Sequence, residues 1–176
     1  MGRVRYFVAA SLDGFIAGPN GEIDWIPMDP DIDFGAIFSQ FDTLVMGRRT
    51  YKEMVQRGDP MIPGVQTIVF SGSLRQSDYP DVTISPGPLD EIIARLRAES
   101  KKDIWLFGGG ALFRTLAEAG LVDTVEVAVV PVLLGGGTPL LPGIPKPLTL
   151  TLTAHRIYPK TGIVSLEYKV IASNTR

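Results

Sequence analysis

Hydrophobic and polar residues follow two different periods along this chain, and the shorter period predicts eight strands. Apolar and β-branched runs bounded by turn residues are typical of strands. They cover residues 3–10, 43–46, 67–70, 82–84, 103–107, 125–132, 148–157 and 163–171. Residues 158–162, with the letters YPKTG, predict a hairpin turn between the last two strands.

The longer period predicts helices between these strands. Phe34, Ile37, Phe38 and Phe41 follow the i, i+3, i+4, i+7 spacing of an amphipathic helix. The same spacing recurs at residues 89, 92, 93 and 96, and a shorter version at 112, 113 and 116, before Gly120.

The order of these elements predicts the fold class. Strands and helices alternate over the first two-thirds of the chain, which favours a largely parallel sheet covered on both faces. From residue 121 onward strands and turns continue without a helical period, so the late strands should add antiparallel edges. We expect one α/β domain over residues 1–176.

Composition and charge narrow the functional classes. Of 176 residues, 45% are apolar and 20% charged, the balance of an ordinary globular protein. The net charge of −2 argues against a nucleic-acid partner, and the lack of cysteine excludes disulfides and thiolate metal sites. No apolar stretch reaches the roughly 20 residues of a membrane span, and the N-terminus lacks the pattern of a signal peptide. A cytoplasmic protein without a membrane partner is the expectation.

Two strands end on glycine and lead into a helix. The first turn is Gly47-Arg48-Arg49-Thr50 and the second is Gly108-Gly109-Gly110. Glycine lets the backbone approach a ligand, and the start of a helix offers free N–H groups, a combination that binds phosphate. Arginine adds paired hydrogen bonds to phosphate. Both turns follow strands whose carboxyl ends should meet at one sheet edge, where open α/β sheets bind ligands.

Simpler interpretations of these turns stay open. Thr50 and Glu53 have the spacing of a capping box, so Thr50 could only start a helix. A dinucleotide fingerprint is incomplete and a P-loop is absent. A third glycine run at residues 135–137 leads into Pro139 and is typical of a loop.

The ordered set of motifs resembles the dihydrofolate reductase superfamily, and most closely the branch that contains the reductase domain of riboflavin biosynthesis. The motifs are SLDGFIA at 11–17, Trp25, MGRRTY at 46–51, FGGG at 107–110, LVD at 121–123 and PVLLGGGTPL at 131–140. The resemblance implies a three-layer fold with a mixed, mostly parallel eight-stranded sheet, antiparallel C-terminal strands and flanking helices. It also implies NADPH as hydride donor and a homodimer formed through the late strands.

The resemblance also implies roles for single residues. The expected cofactor contacts are the backbones of Ala9 and Ile16 at the nicotinamide, Gly47, Arg48, Arg49 and Thr50 at the phosphates, Ser71, Gly72 and Ser73 at the adenosine, and Gly108, Gly109 and Gly110 at the pyrophosphate. A cis peptide is implied between the first two glycines of the last group. Because the 2′-phosphate of NADPH needs a cation, the arginines favour NADPH over NADH.

The residues that would contact the substrate include one of three acidic side chains. Dihydrofolate reductases carry a carboxylate in their first helix, and three acids compete for that place here. Asp29 before Pro30 is typical of a helix N-cap, Asp31 suits the first turn, and Asp33 borders the apolar face and is the candidate catalytic acid.

Aromatic residues near these acids complete the predicted substrate pocket. Trp25 and Phe34 are its expected apolar wall, whereas Phe38 and Met46 are more typical of core residues. The strand position that would support the acid with a threonine is Ala128, a departure from dihydrofolate reductase itself.

Two functional hypotheses follow. The first is an NADPH-dependent reductase acting on a pterin, a ribosylaminopyrimidine or a related heterocycle. The second is a non-catalytic module that binds NADP(H) or another ligand on the same fold. His155, the only histidine, is more typical of a surface position, and no metal site is expected.

Overall fold

The computed structural model describes residues 2–59 and 61–171, which form ten strands and four α-helices. The strands are β1 (Val4–Ser11), β2 (Phe15–Ala17), β3 (Phe41–Gly47), β4 (Gln66–Phe70), β5 (Thr83–Ser85), β6 (Asp103–Gly108), β7 (Thr124–Val130), β8 (Thr138–Pro139), β9 (Leu150–Tyr158) and β10 (Ile163–Val170). The helices are α1 (Phe34–Phe38), α2 (Arg48–Arg57), α3 (Leu89–Glu99) and α4 (Gly110–Glu118).

Eight of the strands form a mixed sheet in the order β5-β4-β3-β6-β1-β7-β10-β9. The pairs from β5 to β7 are all parallel, while β10 runs antiparallel to both β7 and β9. This arrangement confirms the predicted α/β fold with antiparallel C-terminal strands. Residues 158–162 make the expected hairpin turn, in which the Gly162 N–H donates to the Tyr158 carbonyl at 2.8 Å.

Alternate residues of each central strand pack into different layers. On one face, Tyr6 and Ile104 join the buried residues of α3 and α4, and the Tyr6 ring stacks on Phe113 with centroids 3.9 Å apart. On the other face, Leu44 and Trp105 pack with α1 and α2. The sheet is therefore the middle of three layers, as period-two alternation in a covered sheet requires.

The first helix differs from its prediction. It spans only Phe34–Phe38, and Phe41 already belongs to β3. Phe41 is opposite Asp103 of β6 and packs against Trp105 at a centroid distance of 5.3 Å. Strand pairing thus overrides the helical spacing of the phenylalanines.

The N-caps of α1 and α2 differ from the predicted cap at Asp29 and from the alternative capping box at Thr50. Asp29 does not cap a helix; its buried carboxylate accepts hydrogen bonds from Thr161 Oγ1 at 2.6 Å and from the Asp31 N–H at 2.9 Å. Asp33 is the N-cap of α1 and accepts from the Ala36 N–H. Thr50 lies inside α2, whose N-cap is Gly47, so the capping-box interpretation fails.

A small second sheet was not predicted. It pairs β2 with β8 and places the loop of residues 135–137 beside β2. The Asp13 carboxylate accepts from the N–H groups of Leu134 and Gly135, which fixes this loop to the end of β1. The glycine run is therefore a loop, as expected.

Within the described residues, none of the helices has the length and apolar content that crossing a bilayer requires.

Candidate functional site

A cleft of about 890 Å³ opens where β1, β3 and β6 end. Its volume lies in the range of small-molecule sites in proteins. It is bounded on one side by the turns that follow β3 and β6, and on another by β7, β9 and β10. The topology rule for open α/β sheets predicts a ligand site at this edge.

Two helices begin at the cleft without a side-chain cap. The N-cap residues Gly47 of α2 and Gly109 of α4 offer no capping side chain, and neither helix has an acidic residue in its first turn. By contrast, α3 carries Asp90 and Glu91 there. The first N–H groups of α2 and α4 thus lack an anionic partner from their own helix, which suits a bound anion.

The two glycine turns lie against each other. A Cβ added to Gly109 would lie 3.2 Å from Thr50 Oγ1, so the turns after β3 and β6 are in near contact. The peptide between Gly108 and Gly109 is cis, as the resemblance implied. Of the predicted phosphate contacts, all except the buried Gly108 line the cleft; they are Gly47, Arg48, Arg49, Thr50, Gly109 and Gly110.

The predicted adenosine contacts lie beside this group but outside the cleft lining. Arg48 Nη1 donates to Ser73 Oγ at 2.8 Å and joins the turn after β3 to the turn after β4. Ser71 Oγ accepts from the Ser73 and Leu74 N–H groups, and a Cβ on Gly72 would meet no atom within 4 Å. Arg49 instead pairs with Glu53 at 2.9 Å across one turn of α2, on the protein surface.

The expected nicotinamide contacts also reach the cleft. Ala9 lies directly opposite Ala128 of β7, and both line the floor. Ile16 of β2 lines the wall above them. The structure thus places Ala9, Ile16 and the two glycine turns around one continuous space.

The predicted substrate residues are only partly brought together. Phe34 and Phe38 line the cleft, and Phe38 stacks on Trp105 at 5.5 Å. Trp25 is not in the lining; its Nε1 donates to the Glu22 carbonyl, and its ring packs beside Tyr158 and Ile163. Asp33 is exposed and turned to its capping role, outside the lining, so this geometry gives no support to its catalytic role.

A buried ion pair that was not expected from the sequence lines the cleft. Arg5 of β1 donates from Nε and Nη2 to the two carboxylate oxygens of Glu126 on β7, each at 2.7 Å. Arg5 Nη1 donates to Gln40 and Asp103 at 2.7 and 3.2 Å. A signal was available: Glu126 interrupts an otherwise apolar strand, and period two places Arg5 on the face of Phe7 and Ala9.

Arg5 is a charged residue in a buried position. Burial lowers the pKa of the Arg5 guanidinium, but its bonds to the carboxylates of Glu126 and Asp103 outweigh burial and leave the pKa above its ordinary value. The guanidinium also lies over the Phe41 ring, 4.7 Å from its centroid. The cleft floor thus holds a fixed cation and anion beside aromatic rings.

The model of the RibD C-terminal domain family matches residues 3–164. The chain belongs to this family. YyaP, an uncharacterized protein of Bacillus subtilis (strain 168), is 33% identical over 178 residues, which cover 94% of this chain and 94% of that protein.

Solved structures agree with the family. A protein from Shewanella sp. PV-4, assigned provisionally to riboflavin biosynthesis, shares 29% identity and a TM-score of 0.83 over 97% of this chain and 99% of that one. Dihydrofolate reductase from Enterococcus faecalis in complex with NADP(H) shares the fold at a TM-score of 0.67 and 21% identity, over 96% of this chain and 94% of its own.

Membership of the RibD C-terminal domain family confirms the resemblance seen in the ordered motifs. It supports a reductase-type function for the cleft.

Proposed function

We propose that this protein is an NADPH-dependent reductase that transfers a hydride to a small flat heterocycle, such as a pterin or a ribosylaminopyrimidine. One observation carries the proposal: the uncapped N-termini of α2 and α4 open on the same cleft, next to Arg48 and Arg49. A pyrophosphate between these helix ends would receive backbone N–H bonds from two sides. Dihydrofolate reductase from Enterococcus faecalis, which shares this fold, was solved in complex with NADP(H).

Different residues of the cleft bind different parts of NADPH. The turns at Gly47 and Gly109 hold phosphate, and the guanidinium of Arg48, next to Ser73, holds the 2′-phosphate. The backbones of Ala9 and Ile16 orient the nicotinamide. When bound, NADPH supplies the hydride and becomes NADP⁺, and a proton from solvent completes the two-electron reduction. The protein supplies position and shields the reacting groups from bulk water.

Aromatic side chains receive the substrate. Phe7, Phe34, Phe38 and Trp105 all line the cleft beyond Ala9. Flat apolar walls orient a planar ring and exclude water, which is the main contribution a protein makes to hydride transfer.

A titration of cofactors tests the proposal. We expect NADPH to bind the wild type more tightly than NADH. Binding of each cofactor is measured by the quenching of tryptophan fluorescence. Arg48→Ala should weaken NADPH binding by about tenfold or more, since a hydrogen bond between charged groups contributes roughly 1.5–3 kcal/mol, and should change NADH binding little.

A matched control comes from Arg114, which pairs with Glu118 on the outer surface of α4. Arg114→Ala should leave both cofactor affinities unchanged. Equal affinity of the wild type for NADPH and NADH, or an Arg48→Ala variant that binds like the wild type, would contradict the assignment of Arg48.

A binding module without turnover is the second candidate, favoured by the position of Asp33 outside the cleft lining. The two functions differ in NADPH oxidation, which absorbance follows directly. Turnover with any member of a panel of pterins and aminopyrimidines establishes the reductase. Tight NADPH binding with no turnover across the panel favours the module.

A further inference from the structure

The Arg5–Glu126 pair lines the cleft close to Ala9, the expected nicotinamide contact. Glu126 is directly opposite Phe7 in the β1–β7 register, two residues before Ala128. Two residues of strand correspond to about 7 Å. The pair is thus separated from the expected nicotinamide position by roughly the length of one flat ring.

The hydrogen bonds to the Glu126 carboxylate within the described residues leave one of its acceptor positions open. Oε1 accepts from Arg5 Nε and, at 3.2 Å, from Thr124 Oγ1. Among residues 2–59 and 61–171, Oε2 accepts from Arg5 Nη2 alone. A carboxylate oxygen can accept two bonds, so Oε2 retains one acceptor position.

The pair is buried but still borders the cleft. The Arg5 and Glu126 side chains are 9% and 10% exposed, and both belong to the lining. Glu167 of β10, directly opposite Glu126, also lines the cleft and adds a second negative charge. This part of the cleft therefore offers carboxylate oxygens that can accept hydrogen bonds.

Packing alone gives little reason for a charged pair here. Removing two charges from water is costly, and apolar residues of similar size often stabilise a fold as well or better. The arginine fixes the carboxylate by two parallel bonds, the geometry of a preorganised recognition group.

We propose that Glu126, held in place by Arg5, recognises the substrate by accepting a hydrogen bond from an N–H group on the edge of a flat nitrogen heterocycle. The ring lies on the aromatic wall of Phe7, Phe38 and Trp105 and points its N–H edge at Oε2. This inference rests on the proposed function, because it assigns the substrate half of the same cleft. Glu126 is a binding and positioning residue and takes over the place expected for Asp33.

Ligand-observed NMR titrations test the inference with a matched pair of probes. Uracil has two ring N–H groups, and 1,3-dimethyluracil has none. Each is titrated into the full-length protein with and without saturating NADPH. We expect uracil to bind the wild type and dimethyluracil to bind at least about tenfold more weakly, the effect of one hydrogen bond to a charged group.

Three variants separate recognition from folding. Glu126→Gln keeps the shape but places an amide NH₂ at the acceptor position, and should weaken uracil by about tenfold while NADPH affinity is unchanged. Glu118→Gln, the same change on the outer surface of α4, should have no effect. The double variant Arg5→Met/Glu126→Leu should stay folded and still lose the preference for uracil.

The outcomes are distinct. Equal binding of the two probes, no binding of uracil in either state, or wild-type uracil affinity in Glu126→Gln each overturns the inference. Failure of the wild type to bind NADPH overturns the proposed function instead, and the titrations without NADPH still decide the role of Glu126.

Discussion

Asp13 shows how one side chain fixes the frame of the cleft. Its carboxylate accepts from Ser11 Oγ at 2.6 Å and from the N–H groups of Gly135 and Leu134 at 2.7 and 3.1 Å. The hydrogen bond from Ser11, followed by that from Gly135, holds the pKa of Asp13 below its ordinary value. The ionised form thus stabilises the contact between the end of β1 and the loop before β8.

This contact should make stability depend on pH in a defined direction. Because the folded-state pKa is lowered, the contribution of Asp13 is present above the ordinary carboxyl pKa, about 4, and is lost as pH falls through the folded value. We expect Asp13→Ala to unfold at a lower temperature than the wild type at pH 7. The difference should shrink as pH falls below about 4.

Thermal unfolding followed by circular dichroism from pH 7 to pH 3 measures this. Asp24→Ala, a change at an exposed aspartate, is the control and should show a small difference at every pH. A difference for Asp13→Ala that stays constant with pH would refute the ionic role.

Among the elements, α2 and α4 differ in the atoms that a side chain at their first glycines would meet. A Cβ on Gly47 would meet no protein atom within 4 Å. A Cβ on Gly110 would lie 2.6 Å from the Pro139 carbonyl oxygen and 2.8 Å from Pro142 Cδ. Gly110 is therefore needed for packing against the segment around β8, whereas Gly47 leaves open space toward the cleft.

Two alanine substitutions separate these roles. Gly110→Ala should lower the free energy of unfolding by about 1–3 kcal/mol, the cost of overpacking, measured by urea denaturation. Gly47→Ala should change it by less than about 1 kcal/mol. It should nevertheless weaken NADPH binding, because the methyl group occupies space that the phosphate needs. A stable Gly47→Ala variant with wild-type NADPH affinity would contradict the phosphate role of this turn.

The elements were predictable where local pattern and tertiary structure agree. All eight strands of the main sheet lie within two residues of their predicted ends, because each is an apolar run bounded by turn residues. The helical spacing was a wrong guide at Phe41, because this residue pairs with β6 as part of β3. It also missed β2 and β8, which have three and two residues and are too short to show a period.

Of the candidate site, the sequence predicted the meeting of the two glycine turns at one cleft. Glycine turns after parallel strands meet at one edge by topology, so the convergence of Gly47 and Gly109 followed from strand order. The place of Glu126 depends on its register opposite Phe7, and sequence spacing does not determine register between distant strands. Asp33 was expected at the border of the apolar face of the first helix, whereas α1 starts four residues later than predicted and Asp33 is its N-cap.

Across the whole molecule, β9 is an edge strand of the main sheet. Among the described strands it pairs with β10 on one side only, and its residues 151–157 are all exposed. They include Leu152 and Ile157, which are 49% and 61% exposed. Long exposed edge strands with apolar residues invite pairing with another chain. This edge supports, as a proposal, the homodimer that the resemblance implied.

A charge placed on this edge should prevent pairing. We expect the wild type to elute as a dimer and Ile157→Lys as a monomer in size-exclusion chromatography with light scattering, because a buried unpaired lysine opposes association. Val55→Lys, at a position on α2 that is 51% exposed, is the control and should leave the dimer intact. A monomeric wild type would refute the proposal.

A crystal structure of the protein with NADPH would show whether the two glycine turns hold the phosphates. We expect the pyrophosphate between the N-termini of α2 and α4, the 2′-phosphate at Arg48, and the nicotinamide beside Ala9 and Ile16. NADPH bound away from both turns, or no NADPH at saturating concentration, would contradict this expectation.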